Sequence, residues 1–470
     1  MLTYSFDEKS KKPLYEQLYD FIKADILSLK LKEKEKLPSK RNFAKNLAVS
    51  TITVETAYDK LASEGYIYSV AKSGYFVSSL DFYQKDFSVK QDTDAEKSKN
   101  TSEQKPNKDT EEKADLTNNS AKAALFPFST WAHITRKIMA EKKEYLLHSS
   151  SCGGTQELRK AIARHLLQFR DLKVSDEQII IGAGTEYLYS LIIQFLGYEN
   201  TYAVEEPGYK KISSIYQAHT VKTVHIPLDD KGINIELLEE SKANIAHISP
   251  SHHFPTGKVT PIERRYELLD WADKEDNRYI IEDDYDSELR LDSHPIPTLQ
   301  SIDTKGKVIY INTFSKTLSS TIRVSYMVLP KRLVEKFYSK LGFYSNTVPV
   351  INQYALAAFM SEGHFEKHIN RLRRHYKDLR NFFLEEIKEK LKDAQIMEED
   401  AGLHFLLRVN TKKSDEQILK DAEKKGVKLS LLSDYYFDKS KAKEHIIVVN
   451  YSNLDKTSIT KALSILRELI

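Results

Sequence analysis

A long polar segment divides this 470-residue chain into two parts of unequal length. Residues 81–120 consist mostly of Lys, Asp, Glu, Ser, Thr and Asn, with few aliphatic side chains. Such a segment buries too little apolar surface to offset the entropy lost on ordering, so it predicts a flexible charged linker. The pattern therefore predicts separate folded units at residues 1–80 and 121–470 rather than one continuous domain.

The composition excludes several classes of protein. Hydrophobic residues make up 40% of the chain and charged residues 30%, and no apolar run approaches the ~20 residues of a membrane span. The N-terminus lacks a basic region followed by an apolar core, so no secretory signal and a cytoplasmic location are expected. The single cysteine, Cys152, excludes an internal disulfide and cannot alone form a metal site. A net charge of +3 does not by itself identify a nucleic-acid binder.

Residues 11–78 carry the pattern of a winged helix-turn-helix. Apolar residues at helical spacing predict a first helix behind Pro13, and Ser39 and Ser50 are expected to cap two shorter helices. Three residues separate these two helices, which is the length of a helix-turn-helix connection. The alternation of residues 66–77 around a Lys-Ser-Gly turn then predicts a hairpin, or wing.

The third helix presents short polar side chains that suit a major groove, and nearby basic residues suit phosphates. The expected DNA-binding residues are Lys40, Arg41, Ser50, Thr51, Thr53, Thr56, Lys72, Ser73 and Gly74. The alternative is a small helical docking module in which these Ser and Thr residues are only caps and surface. The order of helices, turn, wing and basic tip favours a partner of double-stranded operator DNA.

This segment resembles the winged helix-turn-helix of the GntR family of bacterial transcription regulators. The matching motifs are Pro13-Leu14-Tyr15-Glu16-Gln17-Leu18, Leu37-Pro38-Ser39-Lys40-Arg41, Leu47-Ala48-Val49-Ser50 and the run from Thr53 to Tyr66. One departure is Thr51, where the family often has an arginine.

The larger part alternates short apolar runs with amphipathic helices, which predicts a mostly parallel sheet covered on both faces. The candidate strands are 179–181, 202–204, 223–226, 245–248, 279–281 and 308–311, with 403–407 and 446–449 in a smaller C-terminal α+β portion.

One ordered set of residues suits an aldehyde-bearing phosphate cofactor. The set comprises Asp283, Tyr285, Thr313, Ser315, Lys316 and Arg323. The amine of Lys316 can form a Schiff base, while Arg323 and the hydroxyls can hold phosphate. Asp283 can pair with a protonated pyridine nitrogen, and the Tyr285 phenol can donate to the ring oxygen. Pyridoxal 5′-phosphate (PLP) requires these groups.

From about Phe126 to the C-terminus the chain resembles fold-type I aminotransferases, and fusion to a winged helix is the arrangement of the MocR-type branch of the GntR family. The matching motifs are Leu158-Arg159 with Ala161-Ile162, Ser249-Pro250-Ser251-His252-His253-Phe254-Pro255-Thr256-Gly257, Glu282-Asp283-Asp284-Tyr285 and Ser315-Lys316. The resemblance implies a multidomain protein, with an α+β DNA-binding domain and an α/β aminotransferase-like domain. It makes Lys316 the Schiff-base lysine, and the implied PLP-binding residues are Lys316, Asp283, Tyr285, Arg323, Thr313, Ser315, Gly184, Thr185, Tyr209 and His252.

Three of these assignments have alternatives. Asp284 competes with Asp283, because adjacent strand residues face opposite ways and only one can reach the ring. Tyr209, expected to stack on the cofactor, is otherwise a core tyrosine after a turn. His252 is otherwise a residue of the pocket wall.

The first functional hypothesis is a homodimeric PLP-dependent transcription regulator that senses PLP, or an amine or amino acid that forms an aldimine with it. The second is a working aminotransferase with an incidental DNA-binding module, and the third is that PLP itself is the signal. Phe254 replaces the usual aminotransferase asparagine, and only Arg408 and Arg467 follow Arg380 as candidates for a substrate-carboxylate clamp. A physiological role in transamination is therefore not expected, although residual turnover stays open.

Overall fold

The structure is a computed structural model and describes residues 4, 6, 12–28, 30–47, 49–70, 73–78, 114–119, 122–291, 296–398 and 402–470. The chain divides into two compact units, a small unit of Met1–Lys105 and a large unit of Pro106–Ile470. Residues 81–113 of the expected linker lie outside the described residues. Of the helices in the described ranges, none is long and apolar enough to cross a membrane.

The small unit is a helix-turn-helix followed by a hairpin. Its elements are α1 (Leu14–Leu27), α2 (Lys40–Leu47), α3 (Thr51–Ser63), β1 (Ile67–Val70) and β2 (Gly74–Val77). Helix α3 begins after Ser50, whose Oγ accepts a hydrogen bond from the Thr53 amide at 3.1 Å. Leu18, Phe43 and Tyr58 are fully buried in one core, so the apolar face of each helix fixes its neighbours. The winged helix-turn-helix prediction is confirmed.

The large unit contains longer helices around two sheets. Its helices are α4 (Phe128–Glu141), α5 (Gln156–Arg170), α6 (Thr185–Leu196), α7 (Lys210–Ala218), α8 (Ile235–Glu240), α9 (Ile262–Asp273), α10 (Leu299–Ile302), α11 (Lys331–Leu341), α12 (Val350–Ser361), α13 (His364–Lys390), α14 (Asp415–Lys424) and α15 (Lys456–Leu469). Its strands are β3 (Ala114–Asp115), β4 (Ile179–Gly182), β5 (Thr201–Glu206), β6 (Lys222–Asp229), β7 (Gly232–Ile233), β8 (Ile245–Ile248), β9 (Tyr279–Asp283), β10 (Val308–Thr313), β11 (Ser325–Val328), β12 (Gln395–Met397), β13 (His404–Arg408), β14 (Val427–Lys428) and β15 (Ile446–Asn450).

The main sheet has the order β4-β11-β10-β9-β8-β5-β6-β7. Strands β10, β9, β8, β5 and β6 pair in parallel, and the residues of β4, β5 and β8 to β11 are buried apart from Tyr279, which is half-buried. Strand β11 pairs antiparallel with both β10 and β4. The carboxyl ends of the parallel strands therefore meet at one edge, where ligands bind in open α/β sheets. The predicted mostly parallel fold is confirmed.

The C-terminal subdomain is built on a three-stranded antiparallel sheet of order β12-β13-β15. A further two-stranded pair joins β14 to β3 in parallel. Strand β3 belongs to residues 114–119, which lie inside the expected linker range of 81–120. The expected linker is thus too long at its C-terminal end, because Ala114 and Leu116 are buried in the hydrophobic core of the large unit. A short apolar pair inside a polar stretch gave too weak a pattern to predict.

Candidate cofactor site and DNA-binding surface

A cavity of about 220 Å³ lies at the carboxyl edge of the main sheet. Nine of the ten residues expected to bind PLP line it, namely Lys316, Asp283, Tyr285, Arg323, Thr313, Ser315, Gly184, Thr185 and Tyr209. They come from the ends of β9 and β10, the start of α6, the connection from β5 to α7 and the connection from β10 to β11. The fold thus gathers into one wall residues that are up to 139 positions apart, from Gly184 to Arg323.

Lys316 lies three residues beyond the end of β10 and projects into the cavity. Its Nζ donates a hydrogen bond to the backbone oxygen of Asn119 at 2.8 Å. Desolvation lowers the pKa of this amine to about 8, although Asp286 acts in the opposite direction. A larger fraction of Lys316 is therefore neutral and nucleophilic near pH 7 than of an ordinary surface lysine.

The two neighbouring aspartates have different surroundings, and of the two it is Asp283 that lines the cavity. Asp283 faces the cavity, accepts a hydrogen bond from the Tyr189 hydroxyl and lies 3.6 Å from His247 Nε2. Asp284 points away and binds Arg170 at 2.6 Å and the Tyr310 hydroxyl at 2.8 Å. Among the described residues Asp283 Oδ1 has no hydrogen-bond partner, so this buried oxygen can accept from a ligand.

Tyr285 contributes a phenol to the cavity wall. Burial and the surrounding carboxylates, chiefly Asp286, raise its pKa well above 10, so it is a neutral donor. His252 does not line the cavity. It is buried behind Tyr285, with its Nδ1 2.6 Å from Asp286 Oδ2 and 3.4 Å from the Tyr285 hydroxyl. Its Nε2 has no hydrogen-bond partner among the described residues, and the expected contact of His252 with the cofactor stays a prediction.

Arg323 and the start of α6 form the end of the cavity that suits phosphate. Arg323 Nη2 donates to the Ala183 oxygen at 3.1 Å, and Gly184 has a φ of 96°. A Cβ at Gly184 would lie 2.7 Å from Arg323 Nη2, so only glycine allows this approach. The Gly184 amide donates to the Gly182 oxygen at 2.9 Å. The amides of the first turn of α6, including that of Thr185, lie where an anion would be favoured.

Part of the cavity wall is aromatic. Tyr209 is 44% exposed and packs edge-on against Phe254 with 5.8 Å between ring centroids. An exposure of this size excludes the alternative of a core tyrosine. Its ring is available to stack on a planar ligand.

Several lining residues were not predicted, among them Asn119, Glu186, Glu205 and His247. Glu205 is buried beside the Ser249 amide at 2.8 Å, and burial raises its pKa to about 8. His247 interrupts the apolar strand β8, and a histidine in a buried parallel strand is a signal that sequence reasoning can use. Asn119 could not be found in this way, because it lies in the stretch interpreted as linker.

The candidate carboxylate clamps lie elsewhere. Arg408 is exposed and lines a different cavity, next to Lys258 and Lys443. Arg467 is exposed on α15. Among the described residues the lysines and arginines that line the cofactor cavity are Lys316 and Arg323.

The residues predicted to bind DNA differ in exposure and in protein partners. Thr51 and Thr56 are exposed on α3, and Arg41 is exposed on α2. Lys40 instead binds Glu55 at 2.8 Å, so its charge is already paired within the small unit. Ser50 and Thr53 are joined by a 2.8 Å hydroxyl contact at the cap of α3.

Two further features complete this surface. Ile52, which was not predicted, is 72% exposed on the first turn of α3. On the wing, Gly74 has a φ of 118° and Ser73 donates its amide to the Val70 oxygen at 3.0 Å, whereas Lys72 lies outside the described residues.

A helix-turn-helix unit and a sheet-edge cavity centred on a lysine define a DNA-binding protein with an aminotransferase-like second unit. Residues 14–77 match the bacterial regulatory proteins of the gntR family, and residues 112–455 match aminotransferase class I and II. The chain therefore belongs to the MocR-type branch of the GntR family.

Similar proteins support this membership. The chain is 30% identical to the probable rhizopine catabolism regulatory protein MocR of Rhizobium meliloti, over 98% of this chain and 94% of that protein. It is also 30% identical to the pyridoxine biosynthesis transcriptional regulator PdxR of Corynebacterium glutamicum, over 85% and 84% of the two chains. A kynurenine aminotransferase from Pyrococcus horikoshii, solved in complex with PMP, has a TM-score of 0.68 at 25% identity and covers 77% of this chain and 91% of its own.

The family implies PLP as cofactor, and the residues present fit it. The buried oxygen of Asp283 suits the pyridine nitrogen, and the neutral phenol of Tyr285 suits the ring oxygen. The amine of Lys316, with its lowered pKa, suits the aldehyde. Arg323 and the first turn of α6 match the phosphate.

Proposed function

We propose that this protein is a PLP-dependent transcription regulator in which the occupancy of the cofactor cavity controls binding to operator DNA. Bound PLP supplies an aldehyde that condenses with amines. In this chain Lys316 provides the amine, Asp283 holds a proton at the pyridine nitrogen and Tyr285 donates to the ring oxygen. Arg323, with Thr313 and Ser315, orients the phosphate.

The observation that carries the proposal is the contact between Lys316 and Asn119. Lys316 Nζ, the atom that reacts with an aldehyde, donates to the backbone oxygen of Asn119 at 2.8 Å. Residues 114–119 lie directly on the C-terminal side of the undescribed stretch that leads from the small unit. Any ligand that takes over the Lys316 amine must therefore alter a contact of this segment.

The earlier residues of this segment are held by backbone hydrogen bonds to the C-terminal subdomain. The Leu116 amide donates to the Lys428 oxygen at 3.0 Å, and the Leu116 oxygen accepts from the Asn450 amide at 2.9 Å. These bonds resemble a strand added to the edge of the C-terminal subdomain. A ligand can change DNA binding only if it binds two arrangements of the protein with unequal affinity. We infer that these two arrangements differ in whether Asn119 is bonded to Lys316, and that the segment of residues 114–119 transmits the difference.

Regulation is favoured over transamination by the charges of the cavity. Among the described residues, the lysines and arginines that line the cavity are Lys316 and Arg323. We assign Lys316 to the aldehyde and Arg323 to the phosphate. A substrate carboxylate therefore has no dedicated arginine among the described residues of this chain. The likeness to PdxR favours PLP itself as one signal, and amines that react with it as another.

A homodimer is part of the proposal, since two DNA-binding units read two operator half-sites. Several large apolar side chains of the large unit are exposed, including Leu147 at 86%, Phe343 at 77% and Tyr145 at 62%. Exposed apolar side chains of this size are typical of protein interfaces. Light scattering should give about twice the chain mass of 54.3 kDa.

The test uses full-length protein and duplex DNA selected from a random library. DNA affinity is measured by fluorescence anisotropy with and without PLP, and with PLP plus a panel of amino acids and amines. Wild type should change its affinity with PLP or with one amine, whereas Lys316→Ala should not respond. Equal affinity under all conditions, together with many turnovers per site on an amino acid and a keto acid, would instead establish an aminotransferase.

A further inference from the structure

The guanidinium that faces the expected phosphate position already has an anionic partner in this chain. Arg323 Nη2 lies 3.2 Å from Glu186 Oε2, and Glu186 lines the same cavity as Thr313 and Ser315. A phosphate bound there needs the same N–H groups. The Glu186 carboxylate and a bound phosphate would therefore compete for the Arg323 guanidinium.

The backbone holds both partners in place. Glu186 is the second residue of α6, in the first turn, where the helix dipole favours a negative charge. Arg323 has a φ of 53°, in the left-handed region that non-glycine residues adopt uncommonly. The backbone therefore places the Glu186 carboxylate and the Arg323 guanidinium close to each other.

Glu186 also has a second cation within reach. Its Oε1 contacts Lys211, on α7. Hydrogen bonding to Lys211, and then to Arg323, lowers the pKa of Glu186 against the opposing effect of burial, so the carboxylate is ionised at neutral pH. Glu186 therefore stands between two cations, of which one belongs to the expected phosphate site and the other does not.

We propose that Glu186 competes with the ligand phosphate for Arg323, and that Lys211 receives the carboxylate when phosphate takes the guanidinium. The consequence is a weakened and reversible affinity for phosphorylated ligands, which suits a site that reports ligand concentration. This inference rests on the proposed binding of PLP and specifies how its affinity is set. Glu186 is then an affinity-determining residue rather than part of the reacting set.

The main experiment compares Glu186→Gln with wild type, using full-length protein and spectroscopic titration with PLP and with pyridoxal, which lacks the phosphate. Glutamine keeps the size of the side chain and removes its charge. Because the Arg323 pair is half exposed, we expect PLP to bind about three- to tenfold more tightly. Pyridoxal should bind as in wild type. Glu335→Gln, an exposed carboxylate on α11, is the matched control and should change neither constant.

A second arm tests the part played by Lys211. Lys211→Met should weaken PLP binding in the presence of Glu186, because the carboxylate then has Arg323 as its remaining cation. In the Glu186→Gln background the same substitution should have a much smaller effect. Equal effects of Lys211→Met in both backgrounds would show that Lys211 acts on phosphate directly and would overturn its role as acceptor.

The outcomes separate this inference from the proposed function. Unchanged or weaker PLP binding by Glu186→Gln would mean that Glu186 only positions Arg323, and the competition would be wrong. Equal tightening of PLP and pyridoxal would also overturn it, since the effect would not act through phosphate. If wild type binds neither compound, the proposed function fails instead.

Discussion

The cofactor cavity and the exposed face of α3 use their polar residues in opposite ways. In and behind the cavity wall, Asp283, Asp284 and Tyr285 are buried and hydrogen-bonded to protein groups, and burial raises the pKa of the Tyr285 phenol. On α3, Thr51 and Thr56 point to solvent, and Ile52 is 72% exposed. Buried polar groups lose stability when one partner is removed, whereas exposed ones lose only what an external partner supplied. Substitutions around the cavity should therefore lower the unfolding free energy or the affinity for PLP, whereas substitutions on α3 should lower only the affinity for DNA, and by less.

The largest effect is expected at Asp284. Asp284→Asn leaves the buried Arg170 guanidinium without its anion, which costs about 3–5 kcal/mol of unfolding free energy. Urea unfolding followed by circular dichroism measures it. Asp378→Asn, an exposed aspartate on α13, is the control and should stay within about 0.5 kcal/mol of wild type. A loss below about 1 kcal/mol for Asp284→Asn would show that the pair is not needed for folding.

The adjacent residue should behave differently. Asp283→Asn removes the charged acceptor for the pyridine nitrogen, and a charge-assisted hydrogen bond contributes about 1.5–3 kcal/mol, so PLP should bind about ten- to a hundredfold more weakly. The free energy of unfolding should fall less than for Asp284→Asn, because asparagine keeps an oxygen that can accept from the Tyr189 hydroxyl, whereas Asp284 neutralises the buried Arg170 guanidinium. Titration of absorbance with PLP gives the affinity. Wild-type affinity combined with a large loss of stability would give Asp283 the structural role assigned here to Asp284.

The pH dependence of PLP capture tests the cavity environment around Lys316. The pKa of Lys316 is lowered to about 8, so the reactive neutral amine increases as pH rises through that value. Capture at limiting PLP should therefore speed up roughly tenfold from pH 6 to 7 and level off above pH 8. Stopped-flow absorbance measures the rate, with PLP and a free lysine analogue as control. A rate still rising tenfold per pH unit at pH 9 would show an ordinary lysine.

Much of the fold was predictable because its strands are continuous apolar runs. The strand at 245–248 has the predicted bounds, and the strand predicted at 308–311 extends to Thr313. Strand β11 was not predicted, although it pairs between β4 and β10. Residues 325–328 hold a serine and a tyrosine and follow Arg323 closely, so local pattern does not distinguish them from a loop. Only pairing with distant strands defines them.

The site was predictable where chemistry restricts the residue type, and less so where position depends on long-range packing. Lys316 and Arg323 were found from their spacing, and both line the cavity. His252 was also assigned to the cofactor but lies next to Tyr285 and is not among the residues that line the cavity. A motif does not show which of two layers a side chain enters. Asn119 was missed because it lies in the stretch interpreted as linker, and Glu186 because a carboxylate in the first turn of a helix is common for electrostatic reasons alone.

The smallest effect is expected on α3, and it would sharpen the contrast with the cavity. Ile52→Ser should weaken binding to the selected DNA about three- to tenfold, because an exposed apolar side chain on the first turn suits a thymine methyl in the major groove. Discrimination against mismatched DNA should fall, while the salt dependence and the unfolding free energy stay unchanged. Arg41→Ala is the matched comparison: a phosphate contact should weaken all sequences alike and reduce the slope of log K against log salt by about 1. A stability loss for Ile52→Ser as large as that of Asp284→Asn would place Ile52 in the core and remove the distinction between the two regions.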